Sequence, residues 1–211
     1  MKIDGTHYRS IWLGDDQQTV KIIEQRLLPH ELKVVELKSR EDAAVAIKDM
    51  WVRGAPLIGA TAAYGMALAM ADDQSDQNLD ASWEILNETR PTAINLRWAL
   101  DRAKAHLSAI APAERAAAAY KLAAEICDED VEINRAIGQN GLKLIEEIAA
   151  RKAPGETINI LTHCNAGWLA TVDWGTATSP IYHAVEKGLR VHVWVDDTRP
   201  RNQGAQLTSW E

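Results

Sequence analysis

Two short apolar runs separated by one helix-length segment place the tightest limit on what this chain can fold into. The first, Thr157 to His163, follows Lys152-Ala153-Pro154-Gly155; the second, Leu189 to Val195, ends at Asp196-Asp197-Thr198. Between them, Leu169 to about Gly188 is predicted to be helical. Bounded β-branched runs of this length read as buried strands, and strand, helix, strand is a βαβ unit: a parallel pair with a right-handed crossover. Ligands in open α/β sheets bind beyond the carboxyl ends of the strands, where loop backbone and helix starts face the pocket. At that place the first strand turns abruptly polar, through Thr162-His163-Cys164-Asn165-Ala166-Gly167. A thiol there is a candidate acid, base or nucleophile.

The preceding residues have another texture. Residues 1 to about 38 read as a small cap of short strands and turns with a helix between, Thr19 to Leu28, ahead of the alternating run Leu32 to Leu37. From Ser39 the spacing of Ala43, Ala44, Ile47, Met50 and Trp51 is that of one helix face, with Ser39 as cap. A helix from Leu57 to Met70 carries Gly59, Gly65 and many alanines, a pattern that lets another backbone approach closely. After a polar loop, Asp72 to Asp80, helices are expected at Leu79 to Asn87, Thr92 to Ile110 and Ala113 to about Arg151, the last interrupted near Gly138 or Gly141. The expected fold class is therefore α/β: a small-strand and helical domain over 1–152, then the first part of a Rossmann-like, doubly wound parallel sheet over 153–211. Two strands cannot cover both faces of a parallel sheet. The sheet is thus expected to be incomplete, because the chain is a piece of a longer protein or because a partner supplies strands.

Composition excludes several classes. A formal charge of −7 argues against non-specific nucleic-acid binding, though arginines gathered in one pocket could hold a phosphate. The low-charge run from Ala55 to Ala71 is marginal against the roughly 20 residues of a membrane span and reads as an internal helix. Two cysteines, Cys127 and Cys164, make no disulfide framework, and Met1 to Gly5 lacks the apolar core of a signal peptide; the expected compartment is the cytoplasm.

Among candidate residues Cys164 stands first, by position. Cys127, inside a helical run, reads as an inert small hydrophobe. His163 is adjacent to Cys164, but strand neighbours point to opposite faces, so it reads as structural rather than as a base for the thiol. No zinc-ligand spacing, Gly-rich dinucleotide motif or P-loop is present, so neither metal nor cofactor is expected. Arg53, before Gly54-Ala55-Pro56, and Arg90, before Pro91-Thr92, both precede helix starts, a combination suited to a phosphate monoester. Arg199-Pro200-Arg201-Asn202-Gln203-Gly204 adds donors after the second strand, and Asp196 and Asp197 read as a capping cluster.

Four blocks together, Arg53-Gly-Ala-Pro56, Thr89-Arg-Pro-Thr-Ala-Ile-Asn-Leu-Arg97, Thr162-His-Cys-Asn-Ala-Gly167 and Asp197-Thr-Arg-Pro-Arg-Asn-Gln-Gly204, resemble in order and spacing the methylthioribose-1-phosphate isomerase family. That family, of aldose–ketose isomerases in methionine salvage, is related to the regulatory subunits of initiation factor 2B. The resemblance implies that Cys164 is catalytic, that Arg53, Gly54, Ala55 and Arg90 bind the phosphate and sugar of a small phosphorylated substrate, and that Gln203 also contacts it. A homodimer is implied too, and the small-residue helix is consistent with one. Family members continue well past the position of Glu211, and that continuation carries an aspartate proton donor and an Asn-Lys pair. Glu is commoner than Asp at position 197.

Overall fold

The computed structural model describes residues 1–211. In chain order the elements are β1 (Lys2–Ile3), β2 (Thr6–His7), β3 (Ile11–Leu13), β4 (Val20–Ile23), β5 (Val34–Leu37), α1 (Arg40–Lys48), α2 (Ala55–Asp72), α3 (Asp76–Asn87), α4 (Ile94–Ser108), α5 (Arg115–Ala149), β6 (Ile158–His163), α6 (Ser179–Glu186) and β7 (Val191–Asp196). The fold class is the expected one, a small-strand and helical part followed by a parallel βαβ pair. The change from helix to strand falls near residue 152, while packing gathers the chain into two compact units, Ser10–Glu129 and Met1–Arg9 with Asp130–Glu211.

In the unit formed by Ser10–Glu129, β3, β4 and β5 make an antiparallel sheet in that order. Here the expected helix from Thr19 to Leu28 is replaced by β4 and a turn. Val20, Ile22 and Ile23 are β-branched and fully buried, and Val20 and Ile22 pair with strands on both sides, so sheet packing overrides the local pattern. Ser39 caps α1 in a capping box: its hydroxyl accepts from Asp42 N, and the Asp42 carboxylate accepts from Ser39 N. α3 starts at Asp76, inside the expected loop, because Ser75 caps it through Asn78 N. α2 packs against α1, α3 and α4 and is buried along its whole length from Leu57 to Met70. Its small residues thus serve packing within the unit: a Cβ on Gly59 would lie 2.9 Å from the Asn95 carbonyl oxygen at the start of α4.

In the other unit β6 and β7 pair in parallel, from Ile158 opposite Val191 to His163 opposite Asp196. One face packs on α5 and α6, with Ile158 in a cluster with Leu142, Ile145 and Ala184. The opposite face, Asn159, Leu161 and His163 beside His192, Trp194 and Asp196, is exposed. Leu161 is 73% and Trp194 57% accessible, unusual for a parallel pair. The expected break in α5 does not occur. Gly138 and Gly141 stay helical because α6 lies against them: a Cβ on Gly138 would meet Ser179 Oγ at 2.2 Å, and one on Gly141 would meet the Pro180 ring at 2.5 Å. The helix expected over Leu169 to Gly188 is shorter, with one 3-10 turn at Trp168–Ala170 and α6 beginning only at Ser179. Trp174 and Gly175 both have positive φ, at 69° and 74°, and Thr171 and Asp173 bond the intervening backbone, which holds this stretch as a loop.

Candidate active site

Cys164 is the first residue past β6, and its backbone leaves the strand at φ +60°, in the left-handed region that β-carbons disfavour. Three contacts hold it and its turn there. Its N–H donates to the Asp196 carbonyl at 2.8 Å, its carbonyl accepts from the Thr208 hydroxyl at 2.7 Å, and Asn165 Oδ1 accepts from Gly167 N at 2.9 Å. Cys164 is half-buried, whereas Cys127 is buried in α5. The Asn165 Nδ2 donor is buried and unused by the protein.

His163 Nδ1 pairs with Asp196 Oδ2 at 3.0 Å, across the sheet register on the exposed face. Asp197 is a cap, its Oδ1 accepting from Thr198 N, Gly204 N and Ala205 N. These bonds start a π-helical turn, Gly204–Thr208, with Gln203 at its cap position. A Cβ on Gly204 would lie 2.8 Å from the Asp196 carbonyl, so glycine lets this turn sit directly on the end of β7. Gln203 is thereby tied through a single short element to the carboxyl end of the sheet.

Two further groups at this end escaped sequence reasoning. The Glu211 carboxylate accepts from Trp168 N and Leu169 N, each at 3.0 Å, and from the Tyr182 hydroxyl at 2.8 Å. Desolvation by burial pushes its pKa up to about 7 against these opposing bonds, and the same burial raises the Tyr182 hydroxyl far above its ordinary value. Glu211, Tyr182 and Thr208 also line a cavity of about 500 Å³ walled by Ile181, Val185, Val193 and Val195. Thr208 is the other missed group. No local periodicity marks either residue, since each acts on a turn about 40 residues away.

The remaining candidates belong to the unit of Ser10–Glu129. Gly54 is the N-cap of α2 and has no side chain to close the helix start; Ala55 and Pro56 open the first turn. Arg53 lies just before it, its Nε bonded to the Met50 carbonyl at 3.2 Å. Arg90 precedes α4, whose N-cap, Ala93, likewise has no side-chain bond, and one Arg90 guanidinium nitrogen, Nη1, is buried with no protein partner. The contact of Gly59 with Asn95 packs the first turns of α2 and α4 together, so Arg53-Gly54-Ala55 and Arg90 precede adjoining helix starts. Both starts offer open N–H groups and positive dipole ends, and with guanidinium beside them they are suited to a phosphate. Cys164 and Gln203 lie in the other compact unit. No group of three His, Cys, Asp or Glu side chains is placed to hold a metal ion, and no helix is long and apolar enough to cross a membrane.

These features define an α/β protein with polar groups at strand carboxyl ends and helix starts. More particularly, the chain belongs to the initiation factor 2 subunit family, whose model matches residues 51–211. It is 69% identical over its whole length to a protein of Sinorhizobium medicae named methylthioribose-1-phosphate isomerase, covering 58% of that protein. It is 58% identical, again over its whole length, to one of the same name from Escherichia coli, covering 57% of it. The chain thus spans somewhat over half the length of these curated relatives. Two crystal structures resemble it: 5-methylthioribose 1-phosphate isomerase from Pyrococcus horikoshii, at TM-score 0.84 and 40% identity over 98% of this chain and 57% of that one; and translation initiation factor eIF-2B, subunit delta, from A. fulgidus, at TM-score 0.82 and 39% identity over 97% and 58%.

Proposed function

We propose that this chain carries the phosphate cradle and the thiol of an aldose–ketose isomerase converting 5-methylthioribose-1-phosphate to 5-methylthioribulose-1-phosphate. The observation that carries the reading is Cys164, held half-buried in a left-handed turn at the carboxyl end of β6. A scaffold has no need of a strained residue in that place, whereas strain of this kind collects at sites of chemistry.

The substrate's anomeric oxygen is esterified, so the ring cannot open as a free sugar does. Arg53, the Gly54 and Ala55 backbone and Arg90 hold the phosphate, and Gln203 contacts the sugar. An acid, which the family resemblance places beyond residue 211, protonates the ring oxygen as its bond to C1 breaks. Hydrogen then moves from C2 to C1, and the C2 hydroxyl loses its proton as the ketone forms, so protons gained and lost balance. Cys164 acts at C2, as the base or as the group that stabilises charge there. A 5-deoxyribose-1-phosphate would undergo the same steps. The protein is read as a cytoplasmic homodimer on its relationship alone, since the small residues of α2 are occupied by its own neighbours.

A second reading, a non-catalytic regulatory subunit, is favoured by the likeness to the initiation-factor subunit. Turnover decides between them. In a protein that includes the acid-bearing continuation, ketose formation followed by NMR, lost in Cys164→Ser and in Arg53→Ala, would establish the isomerase; phosphate-dependent thermal stabilisation without turnover there would favour a binding role.

A further inference from the structure

We infer that Thr208 is a positioning residue for Cys164, an assignment that rests on reading Cys164 as the reacting thiol. Left-handed backbone is unfavourable for a residue other than glycine, so such a conformation persists only where surrounding bonds impose it. For Cys164 those bonds are two. One runs from its N–H to the Asp196 carbonyl and belongs to the end of the sheet; the other runs from the Thr208 hydroxyl to its carbonyl at 2.7 Å. Only the second comes from a side chain.

Thr208 is well placed to be firm. It is 7% accessible, it closes the π-helical turn Gly204–Thr208, and that turn is anchored by Asp197 at its start and by close contact of Gly204 with Asp196. Such turns are rare and found frequently at functional sites. Three residues further on, Glu211 grips Trp168 N and Leu169 N. One segment therefore holds both ends of the thiol-bearing turn, Thr208 at Cys164 and Glu211 at Trp168. Because Gln203 stands at the N-cap position of the same π turn, the segment also joins a candidate substrate contact to the thiol-bearing turn.

The test is the alkylation rate of Cys164 by iodoacetamide at fixed pH in the 211-residue chain, read by peptide mass spectrometry with Cys127 as internal control. Thr208→Val keeps the shape and removes the donor; Thr208→Ser keeps the donor. With the clamp gone the turn samples open conformations, so Thr208→Val is expected to raise the Cys164 rate about 2- to 10-fold, the span of one net hydrogen bond. Thr208→Ser should restore the wild-type rate, and Cys127 should stay slow throughout. An unchanged Cys164 rate in Thr208→Val would overturn the assignment. So would an equal rise in the two variants, since Thr208→Ser keeps the donor, or a parallel rise at Cys127, which would mean general loosening. Turnover retained by Cys164→Ser would remove the catalytic reading instead, and would leave the alkylation result for Thr208 standing.

Discussion

Gly138 on α5 faces Ser179 at the start of α6 so closely that a β-carbon would lie 2.2 Å from the serine oxygen. That oxygen is not free to move, since it donates to the Asn134 carbonyl at 2.8 Å. Glycine to alanine inside a helix ordinarily stabilises by about 0.5–1 kcal/mol. Here the sign should reverse. Overpacking costs typically about 1–3 kcal/mol, so Gly138→Ala and Gly141→Ala should each lower the urea midpoint. An alanine variant as stable as wild type would show that α6 is not seated on this helix as described.

Glu211 should make stability depend on pH. Its folded pKa is raised from 4.5 to about 7, chiefly by desolvation, so the folded state holds the proton where the unfolded chain has lost it. Stability from this group is fully present below the unfolded value and falls as pH rises through about 7. A tenfold change in proton affinity corresponds to ~1.4 kcal/mol, so the loss between the two values is about 3 kcal/mol. Glu211→Gln should lower stability at acid pH too, because its amide turns a donor toward donors, but the difference between variant and wild type should shrink from pH 5 to pH 8 (roughly the window set by the two pKa values). Parallel stability curves would rule out Glu211 as the titrating group.

Arg90 offers a buried guanidinium nitrogen with no protein partner. Lysine cannot reproduce the fork, and a charge-assisted bond is worth about 1.5–3 kcal/mol, so Arg90→Lys should weaken phosphate binding roughly 10- to 100-fold. Thermal shift against inorganic phosphate measures it. Equal affinity in the variant would place the phosphate elsewhere.

Ser39→Ala removes the hydroxyl that accepts from Asp42 N at 3.1 Å, with a cost of about 1 kcal/mol. Guanidinium denaturation gives the difference; a value near zero would mean that the reciprocal carboxylate bonds from Lys38 N and Ser39 N hold the helix start without it.

The helices were readable where local signals agreed. Ser39 with Asp42 marked the start of α1, and the period of small residues marked α2, because caps and one-sided burial act within a turn or two of chain. Three expectations failed at places where distant residues decide. Thr19 to Leu28 carries enough apolar residues for a helix, yet Val20 to Ile23 is drawn into a sheet between two other strands. Gly138 and Gly141 have the character of helix breakers, but Ser179 and Pro180 pack against them and need the space a side chain would fill. The stretch after Gly167 has helical spacing, but its backbone is taken by Thr171 and Asp173.

The candidate site divides in the same way. Sequence by itself determined the βαβ unit, the polar turn bearing Cys164, the arginines before two helix starts and the family, since each is a matter of neighbouring residues in order. Tertiary structure alone decided that Cys164 sits in a left-handed conformation and that Thr208 and Glu211 hold its turn. The reason is physical: a hydrogen bond between residues more than 40 apart leaves no periodic trace in the chain, and it exists only once β6 and β7 have brought their carboxyl ends together.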